Sequence, residues 1–448
     1  MHYTRFRQVW DVAKSLVVQY FFESLLYVLD TLFVAGLGAD ALDAVATALY
    51  LCYLIQFPIN ACLLSSFTTY VSQAWGAKDV DSIRSMFSKA LTTAVSAGVI
   101  SCAISLAIAK PVIMLVYPNE ASLNIALTYF KLIVPAFPGS SLFITYLAFL
   151  YGIGRTREAT LCWVMSDIVN IVLDPLLIYG LKLGVVGAAL AFDASIYSVL
   201  PLLHMLLKRN IGVELGFSLP TSDVFTLIRR VGLAVSVERV VISILYTVYA
   251  AIVGRYGSNI YTAYQLGLRI ESFIYMPILA FRDAANILIG QYVGAERIDE
   301  LPEILKSCQV LALLTIGVAT LFSLSIAYLV FKFLLAGMYV KLWNLIVTYL
   351  VLAVASDVGL ALTFTCIGAY QAIGKTFVST LIDLTSMSLL RVLPSFLLYL
   401  CNAPIELIWL TMSIDTIFRG TCLTLLFNKK LYREPAKFAR PYTSAVSS

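Results

Sequence analysis

Charge is scarce in this chain. Asp, Glu, Lys and Arg make up 13% of its 448 residues, whereas a soluble domain carries about 25%. Hydrophobic residues make up 60%, and the mean hydropathy is +0.89. This composition excludes an ordinary soluble protein and indicates one that is solvated mainly by lipid. The net charge of +5 is spread along the chain, so it does not indicate nucleic-acid binding.

Residues for metal, redox or catalytic chemistry are few or poorly spaced. The chain has two histidines, and its eight cysteines lie mainly in apolar stretches without a Cys-x-x-Cys pair. Such cysteines are typical of a packed core. No His-Glu-x-x-His, Gly-x-Ser-x-Gly or P-loop sequence occurs. We therefore predict no catalytic residue, no metal and no cofactor, and a protein that is not an enzyme.

Long apolar runs dominate the chain. Each is long enough to cross a bilayer as a helix, and this predicts an all-α integral membrane protein. Lys and Arg concentrate on the side that holds both termini, which predicts that both termini are cytoplasmic in the plasma membrane. The twelve predicted spans are 11–36, 44–70, 86–110, 122–151, 158–180, 184–207, 228–254, 259–289, 305–331, 342–370, 376–400 and 405–428.

Two short motifs return in the same order in the second half. SQAWGA at 72–77 returns as GQYVGA at 290–295, and GIGRT at 152–156 returns as AIGKT at 372–376, each roughly 220 residues later. Six spans per half predict a parallel repeat around a central cleft. The predicted parts are an N-lobe at 1–207, a linker at 208–223, a C-lobe at 224–428 and a cytoplasmic tail at 429–448.

Ionisable residues inside predicted spans mark the candidate site. Asp30, Asp174 and Asp193 lie at similar depths in the first half. Asn170 lies one turn from Asp174 on the same helix face, and Asp167 lies on that face a turn further in. Pro175 leaves one backbone carbonyl without its usual donor. These oxygens suit a proton or a hard monovalent cation. The alternative is a structural role, in which Asn170 and Asp174 only bond across helices.

The second half lacks these carboxylates at the repeat-related positions. Asp415 and Arg419 are four residues apart, which favours a structural or gating ion pair. Glu238 and Asp357 form a second candidate cation site, because each is an acidic residue within a predicted span.

These sequences resemble the multidrug and toxic compound extrusion (MATE) transporters over about residues 10–428, most closely the prokaryotic DinF branch. The resemblance implies a twelve-helix, two-lobe exporter that exchanges a cation for an organic substrate. It gives Asp30, Asn170 and Asp174 the roles of proton or sodium ligands. Where the family commonly has threonine, this chain has Phe192, so a hydroxyl ligand is lost. The motifs are LDTLFV at 29–34, GADAL at 38–42, NIVLDP at 170–175, GVVGAALA at 184–191 and LRIES at 268–272, besides the two repeated motifs.

We therefore expect a secondary active antiporter that exports organic, cationic or amphiphilic compounds in exchange for protons or sodium ions. The expected partners are small organic substrates and membrane lipids, with no nucleic acid, and the expected state is a monomer. The alternative within the same superfamily is a flippase for a lipid-linked precursor, which would need a strongly cationic cavity for phosphates.

Overall fold

The computed structural model describes residues 2–116, 120–334 and 340–435, and these ranges are helical with no strand. The predicted tail beyond residue 435 lies outside the described residues. The helices are α1 (His2–Ala35), α2 (Ala39–Gly76), α3 (Val80–Val116), α4 (Glu120–Ile133), α5 (Ala136–Gly152), α6 (Thr156–Pro175), α7 (Val185–Ile211), α8 (Ser222–Leu227), α9 (Leu233–Gly254), α10 (Ser258–Gly294), α11 (Leu301–Leu334), α12 (Val340–Ala372), α13 (Thr376–Ser386), α14 (Leu393–Leu400) and α15 (Ile405–Arg433).

The predicted all-α membrane fold is confirmed. The described residues include 11 spans that are long and apolar enough to cross a membrane, and α4 with α5 forms a twelfth that is bent by 47°. The bend lies at Pro135, which has no backbone N–H to continue the helix. The chain is therefore a multi-pass membrane protein.

Three spans contain a short π-helical turn, in which the backbone bonds reach one residue further than in an α-helix. Leu176–Gly180 follows Pro175 at the end of α6. Ile228–Gly232 joins α8 to α9, and Met387–Val392 joins α13 to α14. Such turns are rare, and they frequently lie at functional sites or hinges.

Eight of the ten described residues with a positive φ recur in pairs between the two halves. Lys78 and Glu296, which directly follow the repeated motifs after α2 and α10, have φ of 59° and 58°. There the chain turns back, and its amides bond to the last carbonyls of the helix. The other pairs are Gly38 with Gly257, Gly154 with Gly374, and Lys182 with Asn402. The repeat therefore extends to how the helices end.

Contacts divide the chain into two compact units. Among the described residues, we call 22–237 the N-unit, and 2–21 together with 238–435 the C-unit. α1 passes from the C-unit into the N-unit after Phe21, and the chain returns to the C-unit at Glu238 within α9. The boundaries of these units differ from those of the predicted lobes, 1–207 and 224–428. The lobes were derived from the sequence repeat alone, and they stay a prediction.

The start of α1 belongs to the C-unit because it packs on α10. Val9 and Ala13 are buried in one hydrophobic cluster with Ile278 and Phe281. The Arg5 guanidinium lies over the ring of Tyr292, 5.1 Å from its centroid. Apolar burial and this cation–π contact together fix the segment.

Buried amide and hydroxyl groups join α2, α3 and α5 in the N-unit. The side-chain amide of Gln56 donates to the hydroxyls of Ser140 and Ser141 at 3.0 Å, and its carbonyl accepts from Ser101 at 2.6 Å. Interhelical bonds of this kind stabilise helix pairs in lipid, where burial in hydrocarbon contributes little.

Substitution of Gly98 in α3 tests this close packing of helices. A Cβ there would approach the backbone of Pro138, including its nitrogen at 2.8 Å, whereas a Cβ on Gly317 of α11 would meet nothing within 4 Å. We expect Gly98→Ala to destabilise the protein by about 1–3 kcal/mol through overpacking and Gly317→Ala to be neutral or slightly stabilising. The apparent melting temperature of each purified variant in detergent measures both effects, and equal values would contradict the packing described.

Candidate functional site

Asp30 and Asp174 meet in the N-unit. Asp30 lies in the last third of α1 and Asp174 lies at the end of α6. Their carboxyl groups lie within hydrogen-bonding range of each other. An ionised carboxylate is an acceptor only, so a bond between two carboxyl groups requires a proton on one of them. The arrangement is therefore one that a shared proton would stabilise.

The face of α6 that was predicted from its spacing is buried. Asp167, Asn170 and Asp174 are each less than 7% exposed. Asp167 lies within electrostatic range of Asp30. Directly after them, Pro175 leads into the π-helical turn Leu176–Gly180. The carboxylates thus lie just before the point at which the α-helix ends and the π-helical turn begins.

Tyr129 of α4 also lies near these carboxylates, and the sequence pattern did not indicate it. Its side chain is 5% exposed and lies within electrostatic range of Asp30, Asp174 and Asp193. Asp193 itself is partly buried on α7. Tyrosine is common in this sequence, so its type alone gave no signal; its position opposite three carboxylates depends on the tertiary fold.

Several oxygens of the site have no hydrogen-bond donor among the described residues: Asp30 Oδ1, Asp167 Oδ2, Asn170 Oδ1 and Asp193 Oδ1. Lys131 of α4 is exposed and forms no ion pair with these oxygens in the described ranges. Buried acceptors without donors are costly, and a proton or a hard cation would satisfy them. No cluster of three or more His, Cys, Asp or Glu placed to hold a metal ion lies within the described ranges.

The C-unit neutralises its buried charges differently. The predicted pair Asp415 and Arg419 is present at 3.6 Å. Arg391 also lies 3.1 Å from Asp415, and Arg419 pairs with Asp383. All four side chains are at most 3% exposed. The predicted ion pair is confirmed. It belongs to a buried group of four charged side chains, which also contains Asp383 and Arg391.

Glu238 and Asp357 are both buried but have different neighbours. Glu238 accepts a 2.7 Å hydrogen bond from the Thr380 hydroxyl. Asp357 is 0% exposed, and neither of its carboxylate oxygens has a partner among the described residues. Asp357 lies within electrostatic range of Glu271. The Glu271 carboxylate accepts a hydrogen bond from Tyr349. The described contacts do not join Glu238 directly to Asp357.

Comparison with known proteins identifies the family. The MatE family model matches residues 16–176 and 234–397. A probable multidrug resistance protein, YoeA of Bacillus subtilis, is 27% identical, and the match covers 60% of each chain. The probable multidrug resistance protein NorM of Thermotoga maritima is 25% identical, with 92% of this chain and 89% of that protein matched.

Solved structures share the fold. A MATE structure in complex with MaL6 has a TM-score of 0.88 at 20% identity, with 96% of each chain covered. An outward-facing multidrug resistance MATE transporter of the MOP superfamily has a TM-score of 0.87, also at 20% identity and 96% coverage of each chain. Because the family model matches well over half of the sequence, the chain belongs to the MatE family of membrane transporters.

Proposed function

We propose that the protein is a secondary active antiporter, which exports organic, cationic or amphiphilic compounds in exchange for protons or sodium ions. The proximity of the Asp30 and Asp174 carboxyl groups is the observation that carries this proposal. Relatives named as multidrug resistance proteins support the export of organic compounds. In this proposal the protein acts as a monomer in the plasma membrane with both termini in the cytoplasm, as the Lys and Arg distribution favours.

The carboxyl pair supplies a two-state element. With one proton, Asp30 and Asp174 attract each other and hold the end of α1 on α6. Without it, two negative charges repel in a site that is poorly solvated. Proton entry from outside would then close the contact and favour substrate release, and proton loss to the cytoplasm would open it again.

Protons fit this site better than sodium ions. Phe192 is the residue before Asp193, where the family commonly provides a threonine hydroxyl. Sodium needs several oxygen ligands at once. A proton shared by two carboxyl groups needs only one oxygen that carries it and one that accepts the hydrogen bond. The pair Asp30 and Asp174 already supplies both.

We propose a second proton site at Asp357, with Glu238 as a further acidic group of the C-unit. A carboxyl group at 0% exposure without a partner is far more stable neutral than charged. Asp357 would therefore hold a proton in the state described here. The flippase alternative finds less support, because the buried Arg391 and Arg419 are both paired with carboxylates and offer no unpaired charge to a phosphate.

Replacement of Asp30 tests the coupling. We expect Asp30→Asn to abolish proton-coupled export, a fall of at least about tenfold, because an amide can bond to Asp174 but cannot gain or lose the proton. The measurement is dye uptake into everted vesicles under an imposed pH gradient, because an exporter in such vesicles moves its substrate into the lumen.

The matched control is Asp43→Asn on α2, where the aspartate is exposed. Both variants should elute as single folded species, and the control should export at the wild-type rate. Surviving pH-driven dye uptake in Asp30→Asn vesicles would show that the N-unit carboxyl pair is not the coupling site.

Separate gradients identify the ion. In proteoliposomes we expect a pH gradient without sodium to drive export, and a sodium gradient at equal pH to leave export at background. The proton-holding geometry of Asp30 and Asp174 is the reason. Export driven by sodium alone would refute the choice of protons.

The second site predicts a change in proton number. If Asp357 exchanges a proton during the cycle, Asp357→Asn should lower the number of protons moved per substrate while leaving some coupled export through the Asp30 pair. A pH-sensitive dye inside proteoliposomes, read together with substrate flux, gives this ratio. An unchanged ratio would assign Asp357 a purely structural role.

A further inference from the structure

The chain passes between the units in two helices, α1 and α9. Near the point where it crosses, each helix lies beside one buried polar cluster of the C-unit. Tyr20 immediately precedes the last C-unit residue of α1. Its hydroxyl donates to Asp283 Oδ2 at 2.6 Å. Arg282 donates through Nε to Asp283 Oδ1 at 2.9 Å and through Nη2 to the Tyr20 hydroxyl at 3.3 Å. A closed ring of three side chains thus ties α1 to α10.

Glu238 brings the second crossing helix close to this ring, without a direct contact to it among the described residues. It is the first C-unit residue of α9, and its carboxylate lies within electrostatic range of Arg282 and Arg239. From α13, the Thr380 hydroxyl donates a hydrogen bond to Glu238, and the like charge of Asp383 repels it. We call Tyr20, Glu238, Arg282 and Asp283 the crossing cluster.

Arg282 is shared between two carboxylates. It contacts Asp283 directly and is attracted by Glu238. Asp383 already pairs with Arg419, so its charge is largely compensated. Arg239 is also attracted by Glu238 and Asp283, and it repels Arg282. Because Glu238 and Arg282 are both at least nine-tenths buried, water screens these forces weakly.

We propose that Arg282 is a positioning residue that couples the charge on Glu238 to the anchoring of α1. When Glu238 is ionised, Arg282 is drawn partly towards it and away from Asp283 and Tyr20. When Glu238 is neutral, Arg282 is held by Asp283 and Tyr20 alone, and the anchor tightens. Asp30 lies on the same helix beyond Tyr20, so the anchor would link the acidic groups of the C-unit to the carboxyl pair. Only that last link rests on the proposed function.

Hydrogen–deuterium exchange of the purified full-length protein in nanodiscs tests the anchor directly. Peptides from residues 10–21 report the opening of α1. Arg282→Gln should raise their exchange rate about tenfold, as expected for the loss of charged hydrogen bonds. Glu238→Gln should slow the same peptides. In the Arg282→Gln background, Glu238→Gln should change nothing further.

Two exposed residues give matched controls, Arg255→Gln and Glu214→Gln, and neither should alter residues 10–21. If Arg282→Gln fails to fold, Tyr20→Phe removes one donor of the ring and gives the same comparison at smaller amplitude, with Tyr50→Phe as its control. An equal effect of Glu238→Gln with and without an intact ring would overturn the proposal, as would unchanged exchange in both ring variants. No substrate or ion gradient is used, so the result is independent of whether export is coupled to protons.

Discussion

The free-energy cost of an ionised side chain in an apolar span governs both candidate sites. In the C-unit, Asp383 and Asp415 meet this cost with opposite charges, because Arg391 and Arg419 lie beside them. The N-unit has no such cations beside Asp30 and Asp174 in the described ranges, so the remaining compensation is a proton or a bound cation. A site compensated by arginines keeps its charge through any cycle, whereas a site compensated by a proton changes charge when the proton leaves. In the function proposed above, that difference assigns an exchangeable proton to Asp30 and Asp174.

The duplicated scaffold makes this asymmetry easy to locate. Left-handed residues recur in pairs at the ends of corresponding helices, as Lys78 and Glu296 show. The carboxylates do not recur, since the position related to Asp30 is taken by the buried Tyr249. Helix ends obey backbone constraints that both copies must satisfy. The ionisable groups obey no such constraint, so each copy carries its own set, and function follows the set rather than the fold.

Local sequence pattern predicted the parts of the structure that local physics determines. Apolar length gave the spans, and the three- and four-residue spacings placed Asp167, Asn170 and Asp174 on one face. The same spacing found Asp415 with Arg419 but missed Arg391 and Asp383, which reach Asp415 and Arg419 from other helices. Tyr129 and the Tyr20 ring were missed for the same reason. Contacts between segments far apart in sequence depend on packing, which no periodicity encodes.

The crossing helices differ in how they can deform. α1 runs from His2 to Ala35 without a glycine, a proline or a π-helical turn, so it has none of the usual causes of a sharp kink. α9 instead begins directly after the π-helical turn Ile228–Gly232, shortly before it enters the C-unit. A stiff α1 would carry a displacement at Tyr20 along to Asp30 with little loss, while the turn before α9 absorbs the accompanying motion. One rigid and one compliant connection would let a change of charge in the C-unit reach the carboxyl pair through α1 alone.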